Sequence, residues 1–293
     1  MTCRMRKTIV TLILAALSYL AEPTWAAVEY HMIQSSFTED VGYPSEFELT
    51  VYLPPGYEES DDIYPLLWVH HGSAASVPRK NRAMFGDYAL QFERTAAIQD
   101  VADNLLSEGK IAPMIMVGPA IPGSVTPAFE DVWGKYFYRE IVPFIQSRYR
   151  VARTREHWGD FGISKGGSDG PVLVFKRPDL FRWVGIGAGA TWFNKDQMTE
   201  NYDQSKYPLD FWLWHGQNDP TVPFSTSELF EQWLIERGFD YTFVVTDGDH
   251  IDCIREPAFI AALQWFSARF QEAGTAVEAK GKLASSWAAM KTR

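Results

Sequence analysis

The chain has 293 residues, 46% hydrophobic and 15% aromatic, enough to bury the core of one large α/β domain. Its formal charge of −10 argues against a protein held to nucleic acid by phosphate attraction, which needs a basic face. Neutral and polymeric substrates remain open.

Residues 1–26 have the composition of an export signal. Arg4, Arg6 and Lys7 form a positive start, and Ile9 to Ala21 is an apolar stretch that ends at Glu22-Pro23. That stretch is shorter than the roughly 20 residues of a membrane span. Small residues at Thr24-Trp25-Ala26-Ala27 suit cleavage after Ala26. The expected organisation is a signal peptide at 1–26, a catalytic domain at 27–273, and a tail at 274–293 that is a loose terminus or a short surface helix. The mature protein is then secreted or periplasmic, with no stable membrane insertion. Cys3 leaves with the signal, so Cys253 has no partner within the chain and reads as a buried structural thiol.

Beyond the signal, short apolar runs alternate with helical patterns. "FELTVYL" at 47–53 alternates as a half-buried strand does. "PLLWVHH" at 65–71 and "APMIMVGP" at 112–119 are continuously apolar, as buried parallel strands are. Between them Ile98, Val101, Leu105 and Leu106 share one helical face. "EHWGDFGI" predicts a strand leading into a glycine-rich turn, "GISKGGSDG". "FRWVGIGAG", "DFWLWHG" and "DYTFVVTDG" predict three more strands. Leu229, Phe230, Trp233 and Leu234 mark the helix between the last two. Phe259, Leu263, Phe266 and Phe270 mark a final helix. Repeated strand–helix–strand order predicts a mostly parallel central sheet with helices on both faces.

Such sheets hold ligands beyond the carboxyl ends of their strands. Four chemical features follow predicted strands: His70-His71-Gly72-Ser73, Ser164 within G-x-S-x-G, Asp219 within "HGQND", and His250 within "TDGDH". Serine, aspartate and histidine come in the chain order of the α/β-hydrolase arrangement. A serine hydroxyl is a weak nucleophile until a base takes its proton, and the base needs an orienting partner. His250 is the candidate base for Ser164, and Asp219 the candidate acid holding His250. Asp247, Asp249 and Asp252 are rivals to Asp219. The oxyanion needs preorganised donors, each worth about 3–4 kcal/mol. The backbone N–H groups of Lys165 and Ser73 are the candidates. His70 and His71, adjacent on a strand, face opposite ways and cannot easily share a metal. One is expected to pack and the other to support the turn. His215 reads as structural. No metal-binding or phosphate-loop motif appears, and no cofactor is expected.

These segments resemble the esterase D family of α/β-hydrolases. The resemblance runs from about Phe47 to Phe270. It rests on "VYLPPGYEESDDIYPLLWVHHG", "NLLSEGKIAPMIMVGP", "YFYREIVPFIQSRYRV", "FGISKGGSDGPVLVFKRPDLFRWVGIGAGATWF" and "HGQNDPTVPFSTSELFEQWLIERGFDYTFVVTDGDH". It implies an α/β-hydrolase fold and the triad Ser164, Asp219 and His250. The implied activity is carboxylic ester hydrolysis through an acyl-serine, on feruloyl or acetyl esters of polysaccharide. Three departures stand out. Lys165 replaces an uncharged residue, and its cation would favour acidic substrates. Ser73-Ala74-Ala75 replaces a more glycine-rich turn. Gly170-Pro171 interrupts the helix after the serine. Trp192, Phe193, Trp133 and Tyr136 are candidates to line the substrate pocket, since aromatic rings suit sugar or phenolic groups. Two other uses of the same residues are a serine peptidase or acyltransferase, and a non-catalytic binding fold.

Overall fold

The computed structural model describes residues 26–38, 45–73, 96–120, 127–191 and 198–291, with backbone alone at 127–131 and 275–291. Among these lies an eight-stranded sheet in the order β1-β2-β4-β3-β5-β6-β7-β8. The strands are β1 (Ala27–Gln34), β2 (Glu46–Leu53), β3 (Leu66–His70), β4 (Ile115–Pro119), β5 (Trp158–Ile163), β6 (Trp183–Gly187), β7 (Asp210–Gly216) and β8 (Asp240–Thr246). β2 runs antiparallel to both β1 and β4, and every other neighbouring pair is parallel. The helices are α1 (Ile98–Ser107), α2 (Pro127–Tyr136), α3 (Val142–Arg148), α4 (Lys165–Lys176), α5 (Ser225–Arg237) and α6 (Glu256–Lys291). A π-helical turn at Phe137–Ile141 joins α2 to α3.

The continuous apolar runs are explained by burial on both faces. Successive strand side chains point to opposite sides, so Leu66 and Trp68 enter one core while Leu67 and Val69 enter the other. Phe211 and Leu213 divide from Trp212 and Trp214 in the same way. The first core is closed by Phe137, Ile141, Val172, Phe230 and Trp233 from the π turn, α4 and α5. The second is closed by Ile98 and Val101 of α1 and by Phe259, Leu263, Phe266 and Phe270 of α6. This is the mostly parallel sheet, covered on both faces, that the alternating pattern predicts, and it is arranged as the α/β-hydrolase resemblance implies.

Three local differences from expectation have simple causes. β1 was not among the predicted strands. It is a sheet edge with much of its length exposed, so its apolar signal is weak. Leu229, expected in the core, is exposed, because α5 turns Phe230, Trp233 and Leu234 inward instead. The final helix does not stop near Phe270 but runs on to Lys291. The expected signal at 1–26 lies almost entirely outside the described residues. Among the described residues no helix is long and apolar enough to cross a membrane.

Candidate active site

Ser164 occupies the step from β5 into α4. Its backbone has φ 51° and ψ −117°, a strained conformation for a residue with a side chain. The turn is tight enough that a Cβ on Gly162 would collide with the Gly166 backbone, and one on Gly166 with the His70 carbonyl. Both positions therefore demand glycine. The strain places Ser164 at the N-terminal end of α4, where helix N–H groups gather and the helix dipole is positive.

Asp219 and His250 arrive from neighbouring loops. Asp219 follows β7, and His250 opens a 3₁₀ turn (His250–Ile254) after β8. Backbone bonds tie the two loops together: Gln217 N–H donates to Thr246 O at 2.8 Å and Asn218 N–H to Gly248 O at 3.0 Å. The Asn218 side-chain amide donates to Asp247 O at 2.7 Å. His250 Nδ1–H donates to Asp219 Oδ2 at 2.6 Å, and Ser164 Oγ–H donates to His250 Nε2 at 2.9 Å. Oδ1 of Asp219 accepts from Thr221 N–H at 2.7 Å and Val222 N–H at 2.9 Å. Burial raises the carboxyl pKa, but His250 and the two backbone donors outweigh it and hold Asp219 below the ordinary carboxylate range.

Two of the three rival acids are engaged elsewhere. Asp249 accepts from Ile251 N–H and Arg255. Asp252 accepts from Thr246, Trp214 and Arg255. Cys253 is buried, and its thiol donates to His250 O at 3.1 Å. Among the described residues no group of three His, Cys, Asp or Glu side chains is arranged to hold a metal ion.

The turn after β3 passes beside the serine. A Cβ on Gly72 would lie 3.3 Å from Ser164 Cβ, so the Gly72-Ser73 backbone borders the hydroxyl. His71 donates from Nδ1 to Gly72 O at 2.7 Å and supports this turn. His70 faces the other way, into the sheet–α4 interface, and pairs with Asp160 at 2.7 Å, both side chains fully buried. A Cβ on Gly170 would collide with Asp160 Oδ1, which accounts for glycine in the middle of α4.

Pro171 also finds an explanation. Proline has no N–H to give to the carbonyl four residues back, which is that of Gly167. The Thr191 hydroxyl supplies the missing donor, at 3.0 Å from Gly167 O. Ser168 Oγ accepts from Ala190 N–H at 2.8 Å. The chain leaving β6 is thereby fastened to the α4 elbow.

Two expectations need correcting. Trp133 is a core residue, 3% exposed, with its ring centroid 5.4 Å from that of Tyr136 and 6.2 Å from that of Phe137. Tyr136 beside it is also buried, donating to Ile33 O at 3.1 Å. Tyr136 also tilts against Phe47 of β2, so helical spacing turns both rings into the core. The Lys165 ammonium is bonded to Asp169 one turn along α4, both side chains about nine-tenths buried. That pairing spends the cation within the helix and weakens the expected preference for acidic substrates. Trp192 and Phe193 lie outside the described residues. His215, read from sequence as structural, donates from Nε2 to Asp219 Oδ2 at 3.0 Å. Its position four residues before Asp219 at a strand end is the one signal that pointed there.

Comparison with known proteins agrees with this architecture. Residues 42–229 match the profile of the family described as "Putative esterase". An endo-1,4-beta-xylanase/feruloyl esterase of Xylanibacter ruminicola is 24% identical over 156 residues, half of this chain. Endo-1,4-beta-xylanase Y of Acetivibrio thermocellus is 24% identical over 215 residues, 69% of this chain. The chain spans only 20% and 16% of the lengths of these two relatives. Among solved structures, a ferulic acid esterase superposes with a TM-score of 0.67 at 21% identity, over 83% of this chain and 98% of that one. A ferulic acid esterase from Anaeromyces mucronatus, in complex with ferulic acid, gives 0.63 at 22% identity over 84% and 92%. At these identities the superpositions establish the fold, and the profile match, covering well over half of the chain, establishes the family. The chain belongs to the family described as "Putative esterase", on an α/β-hydrolase fold.

Proposed function

We propose that this chain is a serine carboxylic ester hydrolase that works through an acyl-enzyme on Ser164. The observation that carries this is the unbroken hydrogen-bond chain from Asp219 through His250 to the hydroxyl of Ser164, at 2.6 and 2.9 Å. His250 Nε2 takes the serine proton as Oγ attacks the ester carbonyl, and returns it to the departing alcohol. Asp219 keeps Nδ1 protonated, so Nε2 is the basic nitrogen, and stabilises the imidazolium that forms. The N–H groups of Lys165, at the positive end of α4, and of Ser73, in the turn beside Ser164, receive the oxyanion. Water activated by His250 then attacks the acyl-serine and frees the acid.

The substrate class proposed is an aromatic or acetyl ester carried by plant polysaccharide. The feruloyl esterase named among the relatives and the ferulic acid bound in a structural neighbour support it. We also propose export, on the signal-like composition of residues 1–26.

The test is hydrolysis of p-nitrophenyl acetate, methyl ferulate and acetylated xylan by the purified protein, with Ser164→Ala alongside. Turnover of at least one ester is expected, with loss of about 10³-fold or more in Ser164→Ala and of fluorophosphonate labelling. Activity that survives the substitution would remove Ser164 as nucleophile. Transfer to an added alcohol outpacing hydrolysis would make the chain an acyltransferase. Cleavage of peptide amides in preference to esters would make it a peptidase.

A further inference from the structure

Beyond the three proposed catalytic side chains, a second imidazole is bound to the same carboxylate oxygen. Asp219 Oδ2 lies 2.6 Å from His250 Nδ1 and 3.0 Å from His215 Nε2. His215 and the Asp219 side chain are fully buried. On its other side, His215 Nδ1 lies 2.6 Å from Ser227 Oγ of α5. The ring is covered by Phe224, whose centroid is 5.5 Å away in an edge-on arrangement.

The protons on this chain follow from the chemistry of each partner. Ionised Asp219 only accepts, and Val222 O, 3.1 Å from His215 Nε2, also only accepts. Nε2 must therefore carry a hydrogen. Burial lowers the His215 pKa and favours the neutral ring, despite the neighbouring carboxylate. In a neutral ring with Nε2–H, Nδ1 is the acceptor, and Ser227 is the hydroxyl that donates to it. The Asp219 carboxylate then receives four donors: two backbone N–H groups on Oδ1 and two imidazoles on Oδ2. That fills its accepting capacity.

We propose that His215 is a positioning residue for the reaction, its Nε2–H tautomer set by Asp219 and the Val222 carbonyl and its ring steadied by Ser227, holding Asp219 in place and moderating its pull on His250. The proposal rests on the ester-hydrolase reading above. A donor shared on Oδ2 draws charge away from the bond to His250. With His215 removed, the two backbone donors still hold Oδ1, but Oδ2 loses the donor that fixes the carboxylate's rotation, so His250 is aimed less well at Ser164 while the whole of the Oδ2 charge falls to His250. The imidazolium of His250 is then better stabilised and forms at higher pH. Other ionisable groups facing this region are few among the described residues. Cys253 lies on the same turn as His250 and is buried. Asp249 and Asp252 of that turn are paired with Arg255. α5 presents the neutral hydroxyl of Ser227.

The experiment measures kcat and KM for p-nitrophenyl acetate across pH in His215→Leu, His215→Gln and Ser227→Ala, with Ser164→Ala as control. In His215→Leu, kcat is expected to fall about 10- to 100-fold, the worth of a hydrogen bond to a charged group expressed as a rate. KM is expected to stay within about twofold, because no substrate contact is removed. The acid limb of kcat/KM is expected to move to higher pH. His215→Gln, whose amide can still donate to Asp219, should hold the limb at its original position. Ser227→Ala should move it partway, since the His215 ring then loses the bond that steadies it against Asp219. Imidazole-nitrogen NMR of the full chain should show His215 neutral and protonated on Nε2. A His215→Leu limb at the original pH, or a His215 ring protonated on Nδ1, would overturn the proposal. If Ser164→Ala keeps its activity, the ester-hydrolase reading fails instead, and the tautomer alone then decides the role of His215.

Discussion

The hydroxyl of Thr191 donates to the carbonyl of Gly167 at 3.0 Å, filling the place that the N–H of residue 171 would hold in an uninterrupted helix. Thr191 is buried, so its removal leaves that carbonyl without water as a substitute. Thr191→Val is expected to cost about 1–3 kcal/mol in urea unfolding. In a Pro171→Ala background residue 171 regains an N–H, and the same substitution should cost less. Equal costs in both backgrounds would show that the two donors do not compensate for each other.

At the elbow, space rather than flexibility fixes the residue type. A methyl group on Gly166 would strike the backbone carbonyls of His70 and His71, which cannot swing aside as a side chain can. Gly166→Ala is expected to destabilise the fold by about 3 kcal/mol. It should also slow fluorophosphonate labelling in protein that remains folded, because β3 and the elbow can no longer approach. Wild-type stability and labelling would refute this account of the turn.

Burial holds the His71 imidazole down at about 4, against an ordinary value of 6.5, and its bond to Gly72 only partly offsets this. The unfolded chain therefore takes up a proton near pH 6.5 that the folded chain refuses until near pH 4. Its contribution is complete above the unfolded value and is lost as pH falls through that window. The total is on the order of 3 kcal/mol. Urea midpoints compared at about pH 7 and pH 5 should drop less in His71→Gln than in the parent. An identical drop would place the acid sensitivity elsewhere.

Cys253 should behave as an inert core thiol. It is 3% exposed, and burial pushes its pKa far above the ordinary thiol range. Alkylation by iodoacetamide is expected only after unfolding. Rapid alkylation of the folded protein, or loss of esterase activity in Cys253→Ala beyond a few-fold, would give this thiol a chemical role.

Much of this protein is legible in its amino-acid order. The apolar runs at 65–71 and 112–119 announce strands buried on both faces, because only such strands lack a polar side. The glycines around Ser164 announce the elbow, because nothing larger fits between β3, β5 and α4. Serine, aspartate and histidine at the ends of three strands name the candidate site, since a parallel sheet brings those ends to one edge. Other matters depend on the fold alone. Trp133 and Trp192 are equally aromatic in the sequence, yet one of them proves to be core. His215 carries only its spacing, four residues before Asp219, and that spacing alone does not separate a ring holding a carboxylate from one packed in the core. The cation of Lys165 is matched by Asp169 only when the helix forms. Local pattern encodes which face a residue prefers, because that depends on its own surface. Which partner it finds depends on residues tens of positions away, and only the packed chain decides that.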